Sequence, residues 1–306
     1  MNVREWALPV YTILMQLALG TLLSLWLTRV FATRRYGRST IEHITRIPVS
    51  AVLLTIIVAI IGSHFHLSRP MLSMLAALNV HSSWLSREIF FTISFLLVTA
   101  GLTYLQWLVP GFDRLKTMLG WVSIVFGILS VYCMSKIYLL PTHSSWNSPV
   151  TVISFFLTAL LLGITTVAVL LVMDLKISEV ADDTETSVRR QLIQHTFVRL
   201  AWVAWITAVT QLLLNLYVVV QLNQGDISAQ TSLMLMLGLY QPLLSMRYIT
   251  LFTGVGWFGL AAFVLFRQRK VNYEISTPVY LACLLVLIAE ILGRFLFYAT
   301  HVRAGI

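Results

Sequence analysis

Charge is scarce in this chain. Of its 306 residues only 11% are charged, while 58% are hydrophobic, and the mean hydropathy is +0.85. A soluble globular chain is about 45–50% apolar and about 25% charged, so the shortage excludes an ordinary soluble domain. Cysteine is scarce too. Cys133 and Cys283 both fall inside apolar runs, which excludes a disulfide framework or a cysteine metal site and leaves buried free thiols. Proline is missing from the middle of every apolar run: all eight prolines sit in loops or near run ends. Secondary transporters use broken midplane helices and paired halves, and the chain shows neither sign. There is no Walker loop, no dinucleotide glycine fingerprint, no HExxH and no CxxC. The chain therefore has no evident means of holding molybdenum, an iron–sulfur cluster or a flavin. Any electron acceptor must sit on another polypeptide.

What the chain does have is length of hydrocarbon. A membrane span needs roughly 20 mostly apolar residues, and eight runs qualify: 6–28, 47–64, 89–108, 117–140, 149–173, 197–222, 248–266 and 278–298. These predict an all-α integral membrane protein, one domain over residues 1–306 built as an eight-transmembrane-helix bundle. Residues 1–6 carry one Arg and one Glu, and the run that follows is too long for a signal h-region, so the first run reads as a true span. The stretch Ser178–Thr186 is acidic and reads as a solvated loop. The partly apolar segment 223–241 has room for a short interfacial helix.

The net charge of +9 is explained by position. Thirteen basic residues lie in the loops after the first, third, fifth and seventh runs, among them Arg29, Arg34, Arg35, Arg114, Lys116, Arg189 and Arg267; the opposite side has five. Lys/Arg-rich loops face the cytoplasm. Both termini are thus expected outside, periplasmic if the membrane is a bacterial inner (cytoplasmic) membrane. The charge needs no nucleic acid partner, and the lipid bilayer is the expected surround.

On that orientation His64, His66, His81, His143 and His301 lie outside, His43 and His195 inside, and none lies deep in a run. Buried haem commonly takes axial histidines from facing helices, so haem is not expected. Three outer histidines gather between the second and third runs with Arg69, Arg87 and Glu88. A quinol gives up two protons with its two electrons. A neutral imidazole accepts such a proton near neutral pH, and a carboxylate can relay it. His64 and His66 point about 200° apart on a helix, so one of them faces a site. Pro70 disfavours helix at Arg69, which places His66 at the turn leaving the membrane, the better position for a head group.

The last run holds a second signal, AEILGRFLFY. Glu290 and Arg294 are four apart and can pair on one helix face, although each charge costs roughly 2.5–3.5 kcal/mol at the bilayer centre. Tyr298 lies one turn on, at the outer interface, and Tyr138 ends the fourth run on the same side beside Lys136. Gln16 within the first run suits a helix–helix hydrogen bond. Trp146 and Asn147 precede the fifth run, and Arg247 begins the seventh.

These residues together resemble the membrane-anchor subunit of dimethyl-sulfoxide reductase. The likeness rests on Glu5-Trp6, Gln16, His66-Leu67-Ser68-x-Pro70, Leu85-Ser86-x-Glu88-Ile89, Tyr138 with Pro141, Phe155-Phe156-Leu157-Thr158, Arg247, and Glu290-x-x-Gly293-Arg294-x-x-Phe297-Tyr298. It covers nearly the whole length. The resemblance implies menaquinol oxidation near the outer face, with His66 and Glu88 as catalytic groups and no haem or metal in this chain. His64, Arg69, Arg87, Tyr138, Glu290, Arg294 and Tyr298 would support the quinol. It also implies two partners, a four-cluster ferredoxin-like iron–sulfur subunit and a molybdopterin subunit that reduces an S- or N-oxide. His64, Arg69 and Arg87 depart from the family's usual pattern. The competing expectation is a transporter or channel using the Glu290–Arg294 pair.

Overall fold

A computed structural model describes residues 3–36, 38–64, 79–178, 183–268 and 276–303. Eight of its helices are long and apolar enough to cross a membrane. They are α1 (Val3–Tyr36), α2 (Arg38–His64), α3 (Trp84–Leu108), α4 (Asp113–Ile137), α5 (Pro149–Ser178), α6 (Asp183–Asn223), α8 (Gln241–Gln268) and α9 (Ser276–Ala299). A short helix, α7 (Ile227–Met234), followed by a π-helical turn over Leu235–Leu239, fills the segment expected to hold an interfacial helix.

The helices outrun their apolar runs for want of anything to stop them. No Gly or Pro occurs between Ser178 and Gly225, so α6 starts at Asp183 rather than near residue 197, and the end of the acidic stretch read as loop is helical. Helices α1 and α2 run on through Pro9 and Pro48, which stay near the ends of the apolar runs. Helix α3 also begins early. Ser83 caps it by accepting from the Ser86 backbone N–H, so the helix starts at Trp84 and not at 89. This shift moves Glu88 from a loop into the second turn of α3, on its buried face.

Helices α1 and α5 form the centre and are the most buried of the spans. They meet through glycine: a Cβ on Gly20 would sit 1.7 Å from the Ala159 carbonyl oxygen, and one on Gly163 would sit 2.0 Å from the Gly20 carbonyl carbon. Small residues let membrane helices approach this closely, where packing and hydrogen bonds replace a hydrophobic drive. On the α1 side lie α2, α3 and α4; on the α5 side lie α6, α8 and α9. Helix α4 closes on α1 through Gly120, whose absent side chain leaves room for the Trp26 ring. Two hydroxyl pairs zip α3 to α4, Thr92–Ser130 at 2.7 Å and Thr99–Ser123 at 2.6 Å. Both native cysteines are free, Cys133 buried and Cys283 half-buried.

At the end of the bundle that carries Arg29 and Arg114, the fully buried Lys116 pairs with Glu42, and Arg29 stacks on Trp26 with its Cζ 4.8 Å from the ring centroid. Glu88, Tyr138 and Tyr298 lie towards the opposite end.

A buried polar site at one end of the bundle

Glu88 is 4% exposed. Its Oε1 is buried and has no hydrogen-bond partner. An ordinary buried carboxylate oxygen is satisfied, since leaving a charged acceptor empty in low dielectric is costly. The nearest hydroxyl network starts at the Tyr11 phenol of α1, 3.3 Å from Thr92 Oγ1, which in turn meets Ser130. Tyr11 is also within hydrogen-bonding reach of the Glu88 carboxyl, which leaves Oε1 as its open oxygen. Helices α1, α3 and α4 thus surround one open acceptor.

A second group packs beside it. The hydroxyls of Tyr138 and Tyr298 hydrogen-bond each other across α4 and α9. Around Tyr138 stand the rings of Trp146, Phe155 and Phe297, with centroids 5.3, 5.7 and 5.3 Å away. Trp146 is fixed at both edges: its Nε1 donates to the Phe297 carbonyl at 2.8 Å, and its ring stacks on His301 at 4.3 Å. His143 lies against Trp146 at 4.9 Å and against His301 at 5.5 Å. Burial, with His301 and Arg303 nearby, holds the His143 imidazole below its ordinary range.

The third group sits deeper. Glu290 and Arg294 are 2% and 5% exposed, but they do not pair as their spacing predicts. Glu290 accepts from Thr158 at 2.7 Å and from Gln211 Nε2 at 2.9 Å. Arg294 turns the other way: its Nη2 donates to Gln16 Oε1 at 2.9 Å and its Cζ lies 3.8 Å from the Phe155 ring centroid. The physical reason is the supply of better-placed neutral partners on α1, α5 and α6, which spare either group a shared geometry. Gln16 makes the interhelical bond expected of it.

Of the residues singled out in the sequence, Glu88, Tyr138, Glu290, Arg294 and Tyr298 gather at one end of the bundle. His66 and Arg69 lie outside the described residues. His64 and Arg87 do not join the group. The His64 ring is exposed and bonds the Ile60 carbonyl of its own helix at 2.7 Å. Arg87 donates to the carbonyls of Val80 and His81 at 2.8 and 2.6 Å and stacks over Trp84 at 4.5 Å. It ties down the loop before α3, because neighbouring positions on a helix point about 100° apart and Glu88 takes the inward face. Sequence reading missed Tyr11, Thr92, Ser130 and Gln211, named Thr158 only within a motif, and gave no weight to the contact between His143 and His301. Their only signal was polarity at helical spacing within apolar runs.

Eight spans around a buried carboxylate, arginine and phenol group define a multi-pass membrane protein with a polar site inside one end. The chain belongs to the DMSO reductase anchor subunit (DmsC) family, whose profile matches residues 1–300. It is 26% identical to the C chain of the anaerobic dimethyl sulfoxide reductase of Haemophilus influenzae, across 100% of this chain and 98% of that one. It is also 26% identical to the YnfH chain of an anaerobic dimethyl sulfoxide reductase of Escherichia coli K12, across 98% of this chain and 96% of that one. The protein is accordingly a membrane-anchor subunit of a dimethyl-sulfoxide-reductase-type complex.

Proposed function

We propose that this anchor oxidises menaquinol at the Glu88 end of the bundle and passes the electrons to a partner. The observation that supports this is the empty, buried Oε1 of Glu88 among the phenols of Tyr11, Tyr138 and Tyr298. A quinol hydroxyl is the donor that such an acceptor lacks. Two-electron oxidation breaks both O–H bonds and releases two protons. Glu88 takes a proton as the general base, and His66, from the segment between α2 and α3, is the second acceptor. The phenols orient the ring, and the Trp146–Phe155–Phe297 cluster supplies its apolar wall.

The electrons go to a four-cluster ferredoxin-like iron–sulfur subunit and on to a molybdopterin subunit, which reduces dimethyl sulfoxide or a related S- or N-oxide. The membrane is a bacterial inner membrane, with both termini periplasmic. With quinol oxidised and oxide reduced on the same face, turnover moves no net charge across the bilayer.

The test is binding of a fluorescent quinone-site inhibitor to the purified complex. Wild type is expected to bind, and His66→Leu and Glu88→Gln to lose binding while still assembling with their partners. Equal binding in all three overturns the site.

A further inference from the structure

A cavity of about 140 Å3 lies between α5, α6, α8 and α9, next to the Glu88 site and sharing Trp146, Phe297, Glu290 and Arg294 with the groups around it. Each of three helices lines it with a polar stripe at helical spacing. From α5 and the residue before it come Ser148, Thr151, Ser154 and Thr158; from α6, Gln211, Asn215 and Gln221; from α9, Glu290, Arg294 and, just past its end, Thr300. The stripe on α5 runs from the loop end to Thr158, roughly 15 Å at 1.5 Å per residue. Part of this polar surface is used between the helices, Thr158 and Gln211 on Glu290 and Ser148 on Gln221, and the rest faces the cavity.

Four buried polar atoms on this cavity have no partner: Ser145 Oγ, Gln211 Oε1, Arg247 Nε and Arg294 Nε. One is an acceptor, one a hydroxyl that can donate or accept, and two are N–H donors, so no single carbonyl-only or ammonium-only ligand satisfies them. Water does. A buried water takes two to four hydrogen bonds and needs on the order of 10–15 Å3 of such space, so this cavity has room for several. Arg247 is held against Gly293, where a Cβ would come within 2.6 Å of its Nε, so its guanidinium edge is kept at the cavity.

We infer that the cavity is a water-filled shaft running from the Ser144–Ser148 loop to Glu290, and that through it Glu290 exchanges protons with the water at that end. Resting on the proposed quinol oxidation, the shaft is the exit for the protons released there. Both electrons leave for the iron–sulfur subunit. Each proton passes from Glu88 by way of the Tyr138–Tyr298 hydroxyl pair, whose phenols lie within electrostatic reach of Arg294, which also feels Glu290. The positive charges of Arg247 and Arg294 disfavour a proton resting in the shaft. A proton that reaches it is handed on to bulk water.

Two experiments on the assembled complex in membranes test this. Ser154→Cys and Asn215→Cys are exposed to Ag+, and the remaining thiols are then counted with maleimide after denaturation. Wild type, with its two native thiols, gives the background, and Leu213→Cys, on the 59% exposed outer face of α6, gives the lipid control. Both shaft thiols are expected to react at least tenfold faster than Leu213→Cys. Reaction no faster than that control overturns the shaft. In the second experiment Glu290→Gln is expected to bind the quinone-site inhibitor as wild type does, yet to slow quinol-driven reduction at least tenfold, with a larger solvent deuterium isotope effect. Full speed in Glu290→Gln overturns the proton role. Loss of inhibitor binding by wild type itself would remove the quinol reading and leave the shaft to stand or fall on the thiol reactivity.

Discussion

On the proposed mechanism Glu88 would act as a base because it is buried with one oxygen unpartnered. General-base contributions are typically 10²–10⁴-fold, so Glu88→Gln should lower quinol-driven reduction by at least about 10²-fold, with the fully assembled complex recovered from membranes. Steady-state quinol oxidation checks it, and a loss of less than about tenfold would remove Glu88 from the proton step. His143 makes a different prediction. Its imidazole is held below the ordinary range, chiefly by burial and then by His301 and Arg303, so the folded state favours the neutral ring. The stability this contributes is present above the unfolded value, about 6.5, and is lost as the pH falls through the lower folded value. Acidification below about pH 6.5 should therefore loosen the His143–Trp146–His301 stack, read as a change in Trp146 fluorescence. His143→Phe should abolish that pH response. Arg87 shows how a residue of the right type can serve elsewhere, because its Nε and Nη2 are engaged by the Val80 and His81 carbonyls. Arg87→Ala is expected to loosen the loop before α3 while leaving inhibitor affinity within a few-fold.

At the scale of helices, the contact between α1 and α5 decides the stability of the bundle. Gly20 and Gly163 each leave space that the other helix's backbone occupies, with approaches of 1.7 and 2.0 Å for an added Cβ. Backbone cannot move aside as a flexible side chain can. Overpacking typically costs about 1–3 kcal/mol, and here both central helices must separate. Gly163→Leu should reduce the amount of folded protein in membranes and lower the detergent Tm by several degrees. Gly62→Leu, where nothing lies within 4 Å of the added Cβ, should not. The cap on α7 is a smaller device of the same kind. Asp226 accepts from the Ala229 backbone N–H at 2.9 Å and from Ser144 at 3.0 Å, joining α7 to the loop before α5. Those hydrogen bonds, the backbone one first, hold its carboxyl below the usual carboxylate range. Asp226→Ala should make the α6–α8 connection more open to protease.

For the whole molecule, the charge pattern predicts orientation. Thirteen basic residues lie in the loops at one end and five at the other, so tags at both termini should be reached by impermeant reagents from outside the inner membrane. Protection of either tag would reverse the bundle and put the Glu88 end at the cytoplasm. The outer helices show large apolar side chains such as Leu97, Trp202 and Phe263, each 58–68% exposed. These face the bilayer, which completes the burial that the bundle leaves undone.

Composition and run length were enough to determine eight spans, and each apolar run falls on one of the eight long apolar helices that the structure shows. Glu88, Glu290, Arg294, Tyr138 and Tyr298 were legible because charge and phenol stand out in a hydrocarbon-like chain. Helix ends were less legible, since helices continue past the bilayer wherever no Gly or Pro stops them, as in α6. What only the tertiary structure decided is which polar groups meet. The four-residue spacing of Glu290 and Arg294 made them look like partners, yet Thr158 and Gln211 take one and Gln16 the other. Spacing along one helix fixes only the face a side chain occupies. Its partner is chosen by which neighbouring helices pack against that face, and here the Gly20–Gly163 contact sets that packing by bringing α1 and α5 together at the centre.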